Sequence, residues 1–357
     1  MDSNTKAQSW IKLVPIVLLT MMQVLGSAGV GRAGIPELIP LLKDQNEAVR
    51  SNAVVELAKI GESAIPYLIP LLDDKSVLVR WPAEKALRNI GESAKVSIPD
   101  LILLLKDQNK WVRSNAAFIL GVSGESAKAA IPDLISLLKD QDRDVQSNAA
   151  RALTRFGKSA KSAIPDLIPL LKDRESNVRS NAALALGYIG ESTKVAIYVI
   201  PLLKDQDKSV RSSAIAALGA LGESAKSAIP DLIPFLKSQD RDVRSGAAFS
   251  LGLMGKSAKS AIPNLIPLLK DQEVYVRGDT ALALGLMGKS AKVAIPNLIL
   301  LLNDQNWLVR SAAAKALGDI GESSKVVIPS LIPLLKDPDK EVRSVAAEAL
   351  EKLGYKP

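Results

Sequence analysis

Apolar residues recur along most of this chain in two alternating helical patterns. Ile164, Leu167, Ile168 and Leu171 fall at i, i+3, i+4 and i+7, one face of a helix. Pro165 suits the first turn of that helix, where its missing N–H is not needed, and Pro169 one turn later predicts a kink. Asp173 marks a turn. Val178, Ala182, Leu186 and Ile189 then follow at i, i+4, i+8 and i+11, which predicts a second amphipathic helix ending near Gly190. The small Ala182 and Ala183 allow close helix approach, and Glu191, Ser192, Thr193 and Lys194 lead to the next hairpin.

The hairpin then repeats. Ile35, Ile65, Ile98, Ile131, Ile164, Ile197, Ile229, Ile262, Ile295 and Ile328 open successive copies at a spacing of 33 residues, with single steps of 30 and 32. A period of this size signals a stacked array in which each copy buries its apolar face only against its neighbours. The expected fold is all-α: a right-handed α-solenoid (α-α superhelix) of ten roughly 33-residue helical hairpins over residues 35–357. Its last helix is polar at Glu348, Glu351 and Lys352, as a terminal cap should be.

Residues 1–34 stand outside the period. Lys6 and Lys12, an apolar run from Leu13 to Leu25, and the small residues Gly26, Ser27 and Ala28 read as a signal peptide cleaved after Ala28. That reading predicts export to a periplasmic or extracellular space. The alternatives are a degenerate apolar helix capping the first repeat of a cytoplasmic protein, or an uncleaved anchor, for which a run interrupted by Pro15, Thr20 and Gln23 is short. Membrane contact is expected only through this segment, if it is uncleaved.

Composition narrows the chemistry. Hydrophobic residues make up 47% and charged residues 24%, enough for a continuous core, while aromatics at 4% leave packing to Leu, Ile, Val and Ala. Cysteine and histidine are both absent, which removes thiolate and imidazole metal sites, disulfides and any nucleophile that needs a His base. The net charge of +8 bears on association and solubility and assigns no site. Gly157-Lys158-Ser159, Gly255-Lys256-Ser257 and Gly288-Lys289-Ser290 imitate the end of a phosphate-binding loop. The earlier glycine that such a loop requires is replaced by Ala152, Ser250 and Ala283, so these read as helix ends.

The stretches "IPDLIPLLKD" and "VRSNAALALGYIG" resemble a HEAT repeat of the phycobilisome-lyase type, and the resemblance covers nearly everything after residue 34. It implies that the turn Asp and the Arg opening the second helix form a ladder between repeats. The Asp role falls on Asp44, Asp74, Asp107, Asp140, Asp173, Asp205, Asp271, Asp304 and Asp337, with Ser238 departing. The Arg role falls on Arg50, Arg80, Arg113, Arg179, Arg211, Arg244, Arg277, Arg310 and Arg343, with Gln146 departing, so the ladder should be weakest at the fourth and seventh repeats. The HEAT group also includes an iron-dependent deoxyhypusine hydroxylase that holds its metal by His and Glu pairs, and this chain has no His. No cofactor and no enzymatic activity are expected. A phycobilin lyase, or a chaperone associated with one, is kept as an alternative.

A functional surface should lie where the repeat stops repeating. Five and nine residues after the ladder Arg, the repeats carry Phe118 and Val122, Leu184 and Tyr188, Ala216 and Ala220, Phe249 and Leu253, and Leu282 and Leu286. Outer repeats hold Lys85, Lys315 and Asp319, or Glu348 and Lys352 there, and Arg151 and Arg155 interrupt the run. An apolar stripe with a charged rim fits the concave surface of a scaffold that binds a protein partner. Packing between neighbouring second helices is the competing explanation. A second candidate edge holds Val77, Leu78, Trp81, Trp111, Val274, Tyr275, Trp307 and Leu308. Nucleic acid is the less favoured partner. Lys95, Lys128, Lys161, Lys194, Lys226, Lys259, Lys292 and Lys325 form a ridge, but Glu92, Glu125, Glu191, Glu223 and Glu322 precede five of them by three residues and should cancel much of the field.

Overall fold

The computed structural model describes residues 34–68, 71, 76–93, 98–321 and 324–355. The leader and its expected cleavage site lie outside them. The described residues contain helices and turns and no strand. Short first helices such as Ile131–Leu137 and Ile295–Leu301 alternate with longer second helices such as Arg143–Arg155 and Trp307–Ile320, giving an α-solenoid. Between Arg155 and Phe156 the chain divides into two compact bodies.

The second helices start where an Asn or Asp can cap them. Asn46 accepts the N–H of Ala48, Asp207 those of Ser209 and Val210, and Asp339 those of Glu341 and Val342. Where a first helix carries its second proline, the α-helix often tightens into a 3-10 turn. Ile229–Leu232 passes into Ile233–Lys237 and Ile262–Leu265 into Ile266–Lys270, whereas Ile295–Leu301, with Leu300 in place of the proline, stays α-helical. Each pattern leaves one apolar face for the core: Val178, Ala182, Leu186 and Ile189 are all fully buried.

The second helices pack unusually closely, and a glycine sets the distance. A Cβ on Gly187 would stand 2.4 Å from the Ala217 Cα, and one on Gly252 2.5 Å from the Ala283 Cα. Gly121 meets Ala152 and Gly285 meets Ala316 in the same way. Ala182 and Ala183, the residues expected to permit close approach, are buried core residues, and the glycine one turn later makes the contact. Connector glycines have a different task. Gly157, Gly255 and Gly288 have φ of 49°, 58° and 56°, so the Gly-Lys-Ser triplets begin left-handed exits from second helices into 3-10 connectors.

In the sixth repeat the structure shifts the phase read from the sequence. Ile197 does not open the core of this hairpin: it is 62% exposed, while Val195, Ala196 and Val199 are buried. The connector after Gly190 is one residue shorter than that after Gly157, so Ala196 takes the opening position and Ile197 stands where other repeats carry proline. Here the connector runs as an α-helix from Thr193 to Val199.

One buried polar atom is left over. Thr280 is fully buried where the other repeats carry alanine, and its Oγ1 has no hydrogen-bond partner among the described residues. Thr280→Val keeps the shape and removes the orphaned hydroxyl, so it should raise stability by about 1 kcal/mol. A thermal melt showing an unchanged or lower midpoint would mean that the hydroxyl is bonded in solution.

Candidate functional site

Each second helix turns one face away from the core. On Val274–Leu286 that face carries Tyr275, Asp279, Leu282 and Leu286 at i, i+4, i+7 and i+11. On Arg241–Leu253 the corresponding residues are Asp242, Gly246, Phe249 and Leu253. In the second body Tyr188, Phe249, Leu253 and Leu286 are 55%, 38%, 41% and 46% exposed, Leu184 and Leu282 are half-buried, and Ala216 is exposed beside half-buried Ala220. These side chains occur on consecutive second helices and keep substantial solvent exposure. Phe118 and Val122 belong to the first body, where both are half-buried and the Arg151 guanidinium lies 5.4 Å from the centre of the Phe118 ring.

The second candidate edge divides. Tyr275 and Leu308 are exposed and, by register, continue the stripe face itself. Val274 is half-buried and Trp307 exposed, one residue off that register. Leu78 and Trp81 are exposed, with Lys85 Nζ 4.9 Å from the Trp81 ring, and Lys110 Nζ sits 5.0 Å from half-buried Trp111. The Val77 side chain is outside the described residues. The far end of the face is charged, with Lys352 Nζ on Asp319 Oδ1 at 2.5 Å.

At the N-terminal ends of the second helices runs the Asp–Arg ladder. Arg179 donates through Nε and Nη2 to the Asp205 carboxylate at 2.8 and 2.9 Å, and through Nη1 to the Asp173 and Arg174 carbonyls. The same two-pronged arrangement joins Arg113 to Asp140, Arg244 to Asp271, Arg277 to Asp304 and Arg310 to Asp337. Each acceptor Asp also takes the backbone N–H two residues on, as Asp205 does from Asp207, so one carboxylate fixes both the turn and the neighbouring repeat.

Three positions differ. Arg211 keeps only the Asp205 and Gln206 carbonyls, because Ser238 offers no carboxylate. Gln146 donates to the Asp140 carbonyl at 2.5 Å and leaves its own buried oxygen without a partner among the described residues. Arg343 bonds only the Asp337 and Pro338 carbonyls. Asp107 accepts the Asn109 N–H, Arg50 binds the Asp44 and Gln45 carbonyls, and Asp74 and the Arg80 side chain lie outside the described residues. A second row of ion pairs, missed in the sequence, runs alongside. Lys110 pairs with Asp142, Lys208 with Asp240 and Arg241 with Glu273, so Lys208 links the sixth and seventh repeats where the main ladder lacks its carboxylate. Its sequence signal was a basic residue three before the ladder Arg and an acid 32 residues further on.

The ladder sets an acid limit. The Arg179 guanidinium holds the Asp205 carboxyl below its ordinary 3.8, and Arg310 does the same to Asp337. At Asp271 burial pushes upward, but hydrogen bonds from Arg244 and the Glu273 backbone leave the net shift downward. Folded values below the unfolded one mean that the stabilisation is present above about pH 4 and is lost as pH falls through the folded values. Helicity followed by circular dichroism should be flat from pH 7 to about 5 and fall below about 4. Full helicity retained at pH 2 would contradict this.

On the lysine ridge the pairing differs from the simple i, i+3 scheme. Lys128 pairs with Glu125, but Glu191 pairs with Lys158 and Lys161 of the preceding connector, which hold its carboxyl down at about 2. Glu223 accepts from Ser257. Lys226, Lys256, Lys259 and Lys289 have no ion-pair partner among the described residues. Lys95 and Lys325 are outside the described side chains, Lys194 forms no ion pair with Glu191, and Lys292 has a partner. Among the described residues no group of three or more His, Cys, Asp or Glu could hold a metal ion, and no helix is long and apolar enough to cross a membrane.

A family model for HEAT repeats matches seven overlapping segments, residues 15–88, 35–117, 98–173, 131–200, 164–251, 229–299 and 262–351. The first begins inside the apolar leader. No curated protein matches the chain. Among solved structures the chain is similar to Kap121p at 16% identity and a TM-score of 0.54, covering 89% of this chain and 45% of that one. It therefore spans less than half the length of that protein, and at this identity the likeness concerns fold alone. An engineered protein aligns at 25% identity over 90% of this chain and 99% of its own, with a TM-score of 0.49. The complex of CpcE and CpcF of phycocyanin lyase from Nostoc sp. PCC7120 aligns at 24% identity over 73% of this chain and 96% of that one, with a TM-score of 0.48.

Proposed function

The chain belongs to the HEAT-repeat family, and on that premise we propose that it is a non-catalytic scaffold holding a protein partner on the second-helix face of its fifth to eighth repeats. The observation that carries the reading is the set of exposed Tyr188, Phe249, Leu253 and Leu286 on three second helices of one compact body, with the small Ala216 and Ala220 on the helix between them. Soluble proteins rarely leave such a patch to water unless they use it. Glycine-on-alanine contacts bring neighbouring second helices close together, which favours the second helices on the inner curve, the usual binding side of a solenoid.

The test is partner capture by the full chain compared with Phe249→Asp/Leu286→Asp, both sites being solvent-exposed and remote from the ladder. A protein retained by the natural chain and lost by a normally folded variant supports the reading. Equal capture overturns it, and recovery of nucleic acid instead would move the site to Lys226, Lys256, Lys259 and Lys289. For the N-terminal segment we keep export with cleavage after Ala28 as the proposal. The family match from residue 15 supports the competing capping helix. A mature chain starting at Gly29 would support export, and one starting at Met1 would overturn it.

A further inference from the structure

The eighth repeat breaks the pattern of its neighbours at three consecutive positions of one helix. After the ladder Arg the other repeats carry Ser, or Trp81 in the second, then Asn, Ser or a small or apolar residue, then Ala. Here the three are Gly278, Asp279 and Thr280. Asp279 is the only charged residue in its column, which elsewhere holds Asn52, Pro82, Asn115, Asn148, Asn181, Ser213, Gly246, Ala312 and Val345.

Asp279 is half-buried on the apolar face, between Tyr275 and Leu282 in register, and accepts a hydrogen bond from Ser245 on the preceding second helix. That bond does not need a charge. Ser213 makes the equivalent link to Ser180 at 2.6 Å, and Asn148 links to Ser114 at 2.6 Å. No described cation forms an ion pair with Asp279, although Lys315 lies on the same face of the next helix. Asp279 is thus a part-exposed carboxylate on an apolar face whose one side-chain bond, from Ser245, leaves its charge unmatched by any ion pair among the described residues.

The glycines around it point the same way. Gly252 and Gly285 are required by close helix contact, but a Cβ on Gly278 would meet nothing within 4 Å, and one on Gly246 would make only an ordinary 3.9 Å contact with Ile215. Glycine inside a helix costs about 1 kcal/mol relative to alanine, and packing gives these two no compensation. In register, Gly246 and Ala312 flank Asp279 on the neighbouring helices, leaving a dip around the carboxylate with Phe249, Leu253, Leu282 and Leu286 one to two turns further along.

We propose that this dip receives a lysine or arginine of the partner protein, on a segment whose adjacent bulky apolar side chains lie on Phe249, Leu253, Leu282 and Leu286. The inference rests on the docking reading above and adds the chemistry of the partner: a single cation flanked by apolar residues. Complementarity between an uncompensated carboxylate and an incoming cation fixes register on a face that apolar contacts alone would leave slippery.

The experiment selects a random 16-residue peptide library on the full-length protein and measures the affinity of enriched peptides for variants. Enriched sequences should contain Lys or Arg at a fixed spacing from Leu, Ile or Phe. Their affinity should fall about tenfold with Asp279→Asn, which can keep the Ser245 link, and at least as much with Gly246→Leu, which fills the dip. Neither variant should melt below the natural protein. Peptides that lose affinity with Phe249→Asp/Leu286→Asp but not with Asp279→Asn would overturn this inference and leave the docking reading standing. Acidic peptides, or no enrichment at all, would overturn both.

Discussion

Gly187→Ala is expected to destabilise the protein by about 2 kcal/mol, although alanine is the better helix former. The new methyl would sit 2.4 Å from the Ala217 Cα and 2.7 Å from its carbonyl oxygen. Backbone atoms cannot swing aside as the end of a flexible side chain can, so relief requires the two second helices to separate. Overpacking of this severity costs about 3 kcal/mol, against a propensity gain of about 1 kcal/mol. Denaturant unfolding measures the difference, with Gly278→Ala as the control: there the same substitution meets open space and should stabilise by about 1 kcal/mol. Equal effects at the two sites would mean that second-helix spacing is not set by the glycine column.

Arg244→Ala is the second large effect, expected at about 3 kcal/mol. The side chain is buried and makes four hydrogen bonds, two to the Asp271 carboxylate at 2.9 Å and two to the Ser238 and Gln239 carbonyls at 2.8 and 3.0 Å. Removing it strands a carboxylate and two turn carbonyls at one junction, and the cost of a broken buried pair is mostly the group left behind. Arg211→Ala provides the internal comparison. Without a carboxylate at position 238 that side chain holds only two carbonyls, so its loss should cost about 1 kcal/mol. Chemical denaturation of both variants decides, and an Arg211→Ala loss as large as that of Arg244→Ala would remove the carboxylate from the account.

These two sites show how much the sequence made legible. The ladder was implied by the HEAT resemblance, and its positions could be followed along the chain because its residue types are chemically narrow: a bidentate contact needs Arg and a carboxylate, and both recur with the period. The glycine column recurs just as plainly, yet a glycine looks the same whether it admits a neighbouring backbone, as Gly252 does, or faces empty space, as Gly278 does. Only the positions of atoms on the next helix separate the cases. The misphased Ile197 has a similar origin. Counting from one isoleucine to the next hid a deletion in the connector, whereas counting back from Asp205 puts Ala196 in the opening position.

The apolar stripe could be located from its spacing because exposure on a helix follows periodicity. Its division between two bodies could not, since Gly157 beside the break at Arg155 is the same connector glycine found at Gly124, Gly222, Gly255 and Gly288. Asp279 also escaped notice. Asp in a column of Asn and Ser reads as a conservative variation until the Ser245 link shows that a neutral group would serve equally well. Tyr275 and Leu308 were assigned to a separate edge because they lie near helix starts, and helical register returns them to the main face.

The central claim, that this scaffold engages a protein through its second helices, is tested most directly by site-specific photo-crosslinking. A benzophenone amino acid is placed at Leu253 on the apolar face or at Lys259 on the connector ridge, both exposed in the same compact body. The account predicts a protein adduct from position 253 that is absent from position 259 and is lost when Phe249→Asp/Leu286→Asp is added. Adducts from position 259 alone, whether to protein or to nucleic acid, would contradict it.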